Sequence, residues 1–518
     1  MLGNRRSSAV AQLHLLWLQL KTYSQTASGW IAKNATIGKI VALSLFGLVA
    51  WDLRRDVVRI ESIEVPRALS DNGYTSSVAG HRLHDALNAY ADQATSAGDN
   101  NGTNLNSSFG FITADDANLN SNLDLNIAAR DELPDIVVPQ IGLSLGAIES
   151  SIRSVLPTKG HAISGELTLR DSKYALRLRF DGRQVFSSEY ESENPDDLMT
   201  KAAPAVMDNI MPSVNAMAQY RLRKDEGLLK ADEIIARCDQ SDINVQRAYI
   251  LKGNHALKNY NYGEAERMFS KANRLNGNSE QPYIQLGIML LRQAKPKQAI
   301  EQFRRVIAIN PKSEIAYNNI GVALATLAKQ ENAEPDRAKL DEAISQYLQA
   351  IAARPRYALP YNNLGLALVH FNRINDAIAN YRIAIQVAPK YMLAHWNLAS
   401  ALETQGAFDA ALTEYRAAIG YTADKEQLAM LHTFVGDLFR KQAGKNDHLE
   451  NAITEYRRAL EMKDYSWAHH NLGLIWRDQG KIDDAIAEFR NATGLDEKNE
   501  TMKESLEQAQ EKKEAGAI

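Results

Sequence analysis

Cysteine is almost missing from this chain: 518 residues contain one, Cys238. A single thiol excludes an intramolecular disulfide and a thiolate metal cluster. Net charge is small as well, −4 from 59 basic and 63 acidic residues. A phosphate-tracking surface needs clustered Lys and Arg, so nucleic acid is not an expected partner. No glycine-rich phosphate loop, G-x-S-x-G elbow or H-E-x-x-H pair occurs. His81 and His84, with Asp85, have a spacing that one helical face could use to hold a metal. No further ligand cluster accompanies them, so they read as ordinary surface histidines. No nucleophile is paired with a base, and neither an enzyme activity nor a cofactor is expected.

Long apolar runs are scarce. The candidate is Ile40 to Trp51, inside a stretch 1–51 that holds Arg5, Arg6, Lys21, Lys33 and Lys39 and no acid. Such a run is only about 18 Å of helix, short of a ~30 Å hydrocarbon core. Extended back to Trp30 it is long enough, with Lys33 and Lys39 snorkelling and Trp30 and Trp51 at the two interfaces. The alternatives are a cleaved signal peptide or a soluble amphipathic helix. A signal peptide fits poorly, because the leader is long and Leu48 stands where a small residue is required. Residues 1–29 are therefore read as a basic arm and 30–51 as a transmembrane anchor. Beyond the span, Arg54, Arg55 and Arg59 are offset by Asp52, Asp56, Glu61 and Glu64. The cation excess on the amino-terminal side places that end in the cytoplasm and the bulk in the periplasm, single-pass in a bacterial inner membrane.

Residues 57–211 read as a small α+β domain. A helical pattern over 76–94 precedes an Asn-, Gly- and Ser-rich stretch, 98–126, which cannot bury much apolar surface and is expected to be a loop or disordered. The run from Asp135 predicts a strand, a break at Pro139 and a helix from about Ser144. Alternation through YALRLRF and the Asp181-Gly182 pair predict an antiparallel meander over 161–190. A helix follows, with Asp196 and Asp197 in its first turn. The run from Gly165 to Ile210, with FDGRQVFSSEY, resembles the TolB-amino-terminal-like module found before helical repeat arrays in bacterial envelope proteins.

From 246 the chain becomes periodic. Gly253, Gly287, Gly321, Gly365, Ala399, Gly436 and Gly473 hold one phase. Ala265, Ala299, Ala343, Ala377, Ala411, Ala452 and Ala485 hold a second, each followed four residues later by Phe or Tyr. Pro311, Pro355 and Pro389 close three units. A 34-residue unit with these marks resembles the tetratricopeptide repeat. The resemblance implies seven units over 246–499, stacked as a right-handed α-superhelix. Small residues let the two helices of a pair approach, and the aromatic is expected to fill the layer between neighbouring pairs. The third unit is ten residues longer, read as an extended turn. Residues 212–245 read as a degenerate opening helix pair with Cys238 a buried inward thiol, and 500–518 as a polar capping helix and tail. The fold class is mainly α, with the small α+β domain and one transmembrane helix ahead of the superhelix.

In a tetratricopeptide array the first helix of each pair lines a groove. With Gly365 as the eighth position of its unit, Asn319, Asn363, Asn397 and Asn471 share the sixth. A carboxamide offers donor and acceptor side by side, suited to a guest backbone; equally, such an Asn can bond within the array. Apolar neighbours are Ile315, Leu359 and Leu393 at the second position and Val322 and Leu366 at the ninth. Cations are few: Lys252, Lys258 and Arg292, at the amino-terminal end, which disfavours a grip on a terminal carboxylate. The expected function is a membrane-anchored scaffold that binds an extended or helical protein segment in an envelope assembly or export complex. Two alternatives stay open, a constitutive structural subunit using the outer faces and a non-catalytic accessory to a sugar- or peptide-modifying enzyme.

Overall fold

The computed structural model describes residues 57–95, 127–129, 137–138, 143–144, 160–330, 335–442 and 446–516. The basic arm, the anchor at 30–51, the insert at 98–126 and the helix expected beyond Ser144 lie outside the described residues. Among those described, no helix is long and apolar enough to cross a membrane. The chain divides into two compact units, with the later boundary between Lys230 and Ala231, inside the segment read as an opening helix pair.

The first unit is built on a mixed sheet of order β2-β1-β5-β6-β7. Its strands are β1 (Val57–Glu64), β2 (Ile127–Ala129), β5 (Gly160–Arg170), β6 (Lys173–Phe180) and β7 (Arg183–Ser187); β3 (Val137–Val138) and β4 (Leu143–Ser144) form a separate ribbon. β1 runs parallel to β2 and β5, and β5-β6-β7 is the expected antiparallel meander. Both hairpins turn on consecutive positive-φ residues, Asp171-Ser172 and Asp181-Gly182, matching strand twist. After a short α1 (Arg67–Ser70), helices α2 (Ser76–Thr95) and α3 (Pro195–Ile210) pack on one another. α2 covers β1 and α3 covers β6 and β7, closing a core of Ile60, Leu83, Ile163, Leu178 and Val206. α4 (Pro212–Leu222) packs here too, against α2 and α3. Tyr90 of α2 donates to Asn215 of α4 (2.7 Å), and Asn215 donates to Asp208 of α3 (2.6 Å).

Helix α5 (Lys224–Arg237) spans the boundary, and Cys238 lies just past its end. The thiol is half-buried rather than enclosed, because it sits beyond the last helical turn.

The second unit contains seven helix pairs: α6 (Ile243–Lys258) with α7 (Tyr262–Leu275), α8 (Glu280–Arg292) with α9 (Pro296–Ile309), α10 (Glu314–Gln330) with α11 (Arg337–Ala353), α12 (Ala358–His370) with α13 (Ile374–Val387), α14 (Met392–Thr404) with α15 (Phe408–Gly420), α16 (Lys425–Lys441) with α17 (Asn446–Met462), and α18 (Ser466–Asp478) with α19 (Ile482–Leu495). Within six of these pairs the aromatic of the second helix lies on the glycine of the first. A Cβ built on Gly365 would stand 2.5 Å from the Tyr381 ring, and one on Gly253 2.4 Å from Phe269; Gly287, Gly321, Gly436 and Gly473 repeat the contact. The ring therefore fixes helix separation inside its own pair, whereas it was expected between pairs. Truncating such a ring costs about 3–5 kcal/mol in a typical core.

Five pairs turn through the same hydrogen-bonded reversal. In the fourth, Asn372 N–H donates to Val369 and Arg373 N–H to Leu368, with Asn372 at φ 57°. Gly406 and Gly480 fill this left-handed position at little cost, while Tyr260 and Ala294 hold it against the Cβ penalty. The ten-residue insertion of the third unit does not form a simple extended turn. It lengthens α10 to 17 residues and α11 to 17, against 13 and 14 in α8 and α9. Its Ala, Leu and Lys favour helix, and Asp336 caps α11 through Ala338 N–H (3.0 Å). α20 (Glu500–Gly516) covers α19 with Met502 and Ala509 buried.

The ring-on-glycine contact predicts that Gly365→Val lowers stability by about 1–3 kcal/mol through overpacking. Chemical denaturation of the full chain, followed by helical circular dichroism, measures this. Thr404→Ser, on an exposed helix end, serves as the near-neutral control.

Candidate functional site: the inner wall of the array

Consecutive first helices pack directly on each other, α8 on α10, α10 on α12 and α12 on α14, and no two second helices pack to a comparable extent among the described residues. The first helices therefore form the shorter, inner wall. Of the apolar residues expected on it, Ile315, Val322 and Leu393 are only 4%, 3% and 1% exposed and belong to two buried hydrophobic clusters of the array. Leu359 and Leu366 are half-buried and pack at its margin.

The asparagines do form a row, but the row is cross-linked to itself. Asn363 Nδ2 donates to Asn318 Oδ1 of the preceding unit (2.9 Å), and Asn318 Nδ2 donates to Asn319 Oδ1 (3.3 Å). Asn397 Nδ2 donates to Asn362 Oδ1 (2.8 Å). Asn471 Nδ2 donates instead to Asp437 Oδ1 (2.8 Å). Asn318, Asn319, Asn362 and Asn363 are all 0% exposed, whereas Asn397 is half-buried. The amide donors of Asn319 and Asn362 are buried without a hydrogen-bond partner. For Asn319 the reason is legible: the preceding unit has Ile284 and Ile288 where a polar partner would have to stand. An unmet buried donor costs about 1–3 kcal/mol.

The sixth position stands out in the sequence, but the partners of its amides stand at the fifth, in the doubled Asn of YNNIG and YNNLG. The acids further along do not stand out in this way. Glu403 accepts from Tyr415 Oη (3.0 Å) and Lys441 Nζ (2.6 Å), and Asp437 accepts from Tyr456 Oη (2.7 Å). The two tyrosines thus join the pair contact to the wall. Burial, opposed by Tyr456 and nearby Arg440 and Lys441, holds the Asp437 carboxyl above the usual carboxylate range. Arg247 is a further cation at the second position of the first pair, half-buried, with burial lowering its pKa.

The fourth position of the first helices changes character along the array. Tyr317 and Tyr361 donate to the carbonyls of Pro311 and Pro355 (3.1 and 3.2 Å). His395 takes the same place, with Nε2 3.0 Å from the Pro389 carbonyl and Nδ1 2.6 Å from Glu414. His432 and His469 repeat the carboxylate contact with Glu455 (2.7 Å) and Glu488 (2.5 Å). No three His, Cys, Asp or Glu side chains converge as a metal site among the described residues.

Family models for the tetratricopeptide repeat match residues 362–426 and 468–499, and a third, described as TPR repeat, matches 332–370. The chain carries tetratricopeptide repeats. Repeats of this kind serve in general as non-catalytic surfaces for protein–protein interaction. No curated protein matches the chain. Among solved structures, it is similar to PilF of Pseudomonas aeruginosa, at 19% identity over 41% of this chain and 90% of that one, with a TM-score of 0.35. A tetratricopeptide repeat protein of Parabacteroides merdae aligns at 16% identity over 52% of this chain and 100% of that one, TM-score 0.39. YrrB, a TPR protein described as having an unusual peptide-binding site, aligns at 18% over 39% and 96%, TM-score 0.29. The matched family stretches all lie in the array.

The cross-repeat amide bond is measurable. A double-mutant cycle with Asn318→Ala and Asn363→Ala should return a coupling of about 0.5–1.5 kcal/mol in stability. The same cycle on Asn318 and Asn471, in units far apart, should return none.

Proposed function

We propose that the inner wall binds a protein segment, and that the amide row of α10, α12 and α14 is the polar track it engages. The observation that carries this is a row of five carboxamides in two hydrogen-bonded sets, Asn363–Asn318–Asn319 and Asn397–Asn362, with two unmet donors, on the wall formed by the first helices. Amide–amide bonds contribute only about 0.5–1.5 kcal/mol net, so a guest carbonyl can replace one at little cost. Asn397, Leu359 and Leu366 are the accessible members; Asn319, Asn363 and Asn471 engage only by giving up their present environment, and Ile315, Val322 and Leu393 support the wall from the core.

A second reading, a permanent structural subunit, is favoured by one feature of the outer side. A cleft of about 250 Å³ runs between α11, α12 and α13, lined by Ile344, Leu348, Leu364, Leu368 and Ala379 with Arg373 and Asp376. Leu348 on its rim is 50% exposed. A photo-crosslinking amino acid placed in the full chain at Leu366, at Asn397 or at Leu348 separates the two. Adducts to a protein segment at the first two sites, abolished by adding Asn362→Ala with Asn363→Ala, support the inner wall. Adducts confined to Leu348 would replace that reading by the second.

We place this scaffold at a bacterial inner membrane, anchored by residues 30–51 with the array in the periplasm, within an envelope or export assembly. The support is the apolar span with its flanking Trp residues and the cation excess before it. A periplasm-dependent reporter fused after residue 70 should be active; a cytoplasmic result would withdraw this location.

A further inference from the structure

The fourth position of the first helix divides the array chemically. Pairs one to four carry Tyr249, Tyr283, Tyr317 and Tyr361 there; pairs five to seven carry His395, His432 and His469. In the first two pairs the second helix meets the phenol ring with a cation, Lys271 over Tyr249 (5.3 Å) and Arg305 over Tyr283 (5.7 Å). In the last three it supplies a carboxylate. Each of these contacts joins the two helices of one pair, and each is largely shielded: the side chains of His395, His432 and His469 are 9%, 13% and 12% exposed.

We propose that the doubly bonded imidazoles of His395 and His469 make the carboxyl-terminal part of the array, pairs five to seven, pH-responsive, tightly closed when these two rings are protonated and loosened when they are neutral, with the His432–Glu455 contact bracing the pair between them. This holds whether or not the wall binds a segment. The argument rests on donors and acceptors. Both ring nitrogens of His395 face acceptors, Glu414 and the Pro389 carbonyl; both of His469 face carboxylates, Glu488 and Asp464. A neutral imidazole has one N–H and one lone pair, so it satisfies one acceptor and turns the lone pair on the other. Only imidazolium donates twice. Tyr317 and Tyr361, at this position, each donate one hydrogen bond to a carbonyl and need no second proton to do so.

The surroundings are consistent. His395 faces Glu414 from α15 and the Tyr421 ring (5.3 Å). His432 faces Glu455 from α17; Arg458 bonds that carboxylate (2.6 Å) and Arg416 acts on it from α15. Burial opposes the charge on His395, but its two acceptors outweigh burial and raise its pKa. For His469 the Glu488 bond leads, and the pKa is again raised. Burial would raise the Glu455 carboxyl, but His432 and the arginines bring it below its ordinary value. A histidine whose folded pKa is raised contributes its full stability below the ordinary histidine value and loses it as pH climbs through the raised one. A carboxylate whose folded pKa is lowered loses its contribution only as pH falls through that lowered value. The closed state is therefore favoured between these limits, on the acid side of neutrality.

Hydrogen exchange of the full chain tests this, read as protection factors so that the intrinsic pH effect cancels. From about pH 6 to about pH 8.5, protection across α14–α19 should fall roughly tenfold, the scale of one charge-assisted hydrogen bond, while α6–α9 shows no comparable fall. The variant His395→Tyr, His432→Tyr, His469→Tyr, which installs the residue used by pairs one to four, should abolish the difference. If it does not fold, Glu414→Gln, Glu455→Gln, Asp464→Asn, Glu488→Gln decides instead, since each amide can turn its NH2 toward the imidazole lone pair and so removes the preference for imidazolium. Equal protection of α14–α19 at both pH values, or a tenfold fall that persists in the variant that folds, overturns the proposal.

Discussion

An aromatic ring resting on a residue that has no side chain sets the geometry of this array. At six of the seven pairs the distance from ring to glycine leaves no room for a Cβ, and the helix spacing follows from that contact. Close helices bring Tyr415 and Tyr456 within reach of Glu403 and Asp437 on the opposite helix. The same proximity brings Glu414, Glu455 and Glu488 to the three histidines. In the glycine pairs, separation within the pair and bonding along the wall go together with one steric fact, and the Ala399 pair makes the same bonds. Ala399 takes the place of the glycine in the fifth pair, and it and Tyr415 are buried in the same cluster.

The pairs were legible in the sequence because this contact demands small and aromatic residues at fixed positions, and a demand repeated seven times leaves a period. The meander was legible for a comparable reason, since Asp181-Gly182 fits the positive-φ turn that a twisted hairpin needs. The carboxamide row was only half legible. Asn319 and Asn363 stand out as repeated letters, but the partners of the amides lie one unit back, at Asn318 and Asn362, and the pairing exists only after two units stack. The His–Glu contacts were hidden differently. Each glutamate lies 19 to 23 residues after its histidine, on a second helix whose charged residues read as a solvated face.

Two more of the differences between sequence and structure share a physical reason. The insertion of the third unit is rich in helix formers, and it lengthens the helices on both sides of it instead of forming only a turn. Cys238 was placed on an inward helical face, but α5 ends one residue earlier and the thiol is half-buried. In both cases the period was carried through a place where helix ends, not spacing, decide the outcome.

The reversals between helices carry an uneven burden. Where Gly406 and Gly480 complete the later turns, the first two pairs place Tyr260 and Ala294 in the left-handed region, at roughly 1–2 kcal/mol each. Strain of that size, concentrated at one end of a stack whose units touch only their neighbours, grades the opening free energy along its length. Fraying should begin at α6–α9 and die out toward the middle.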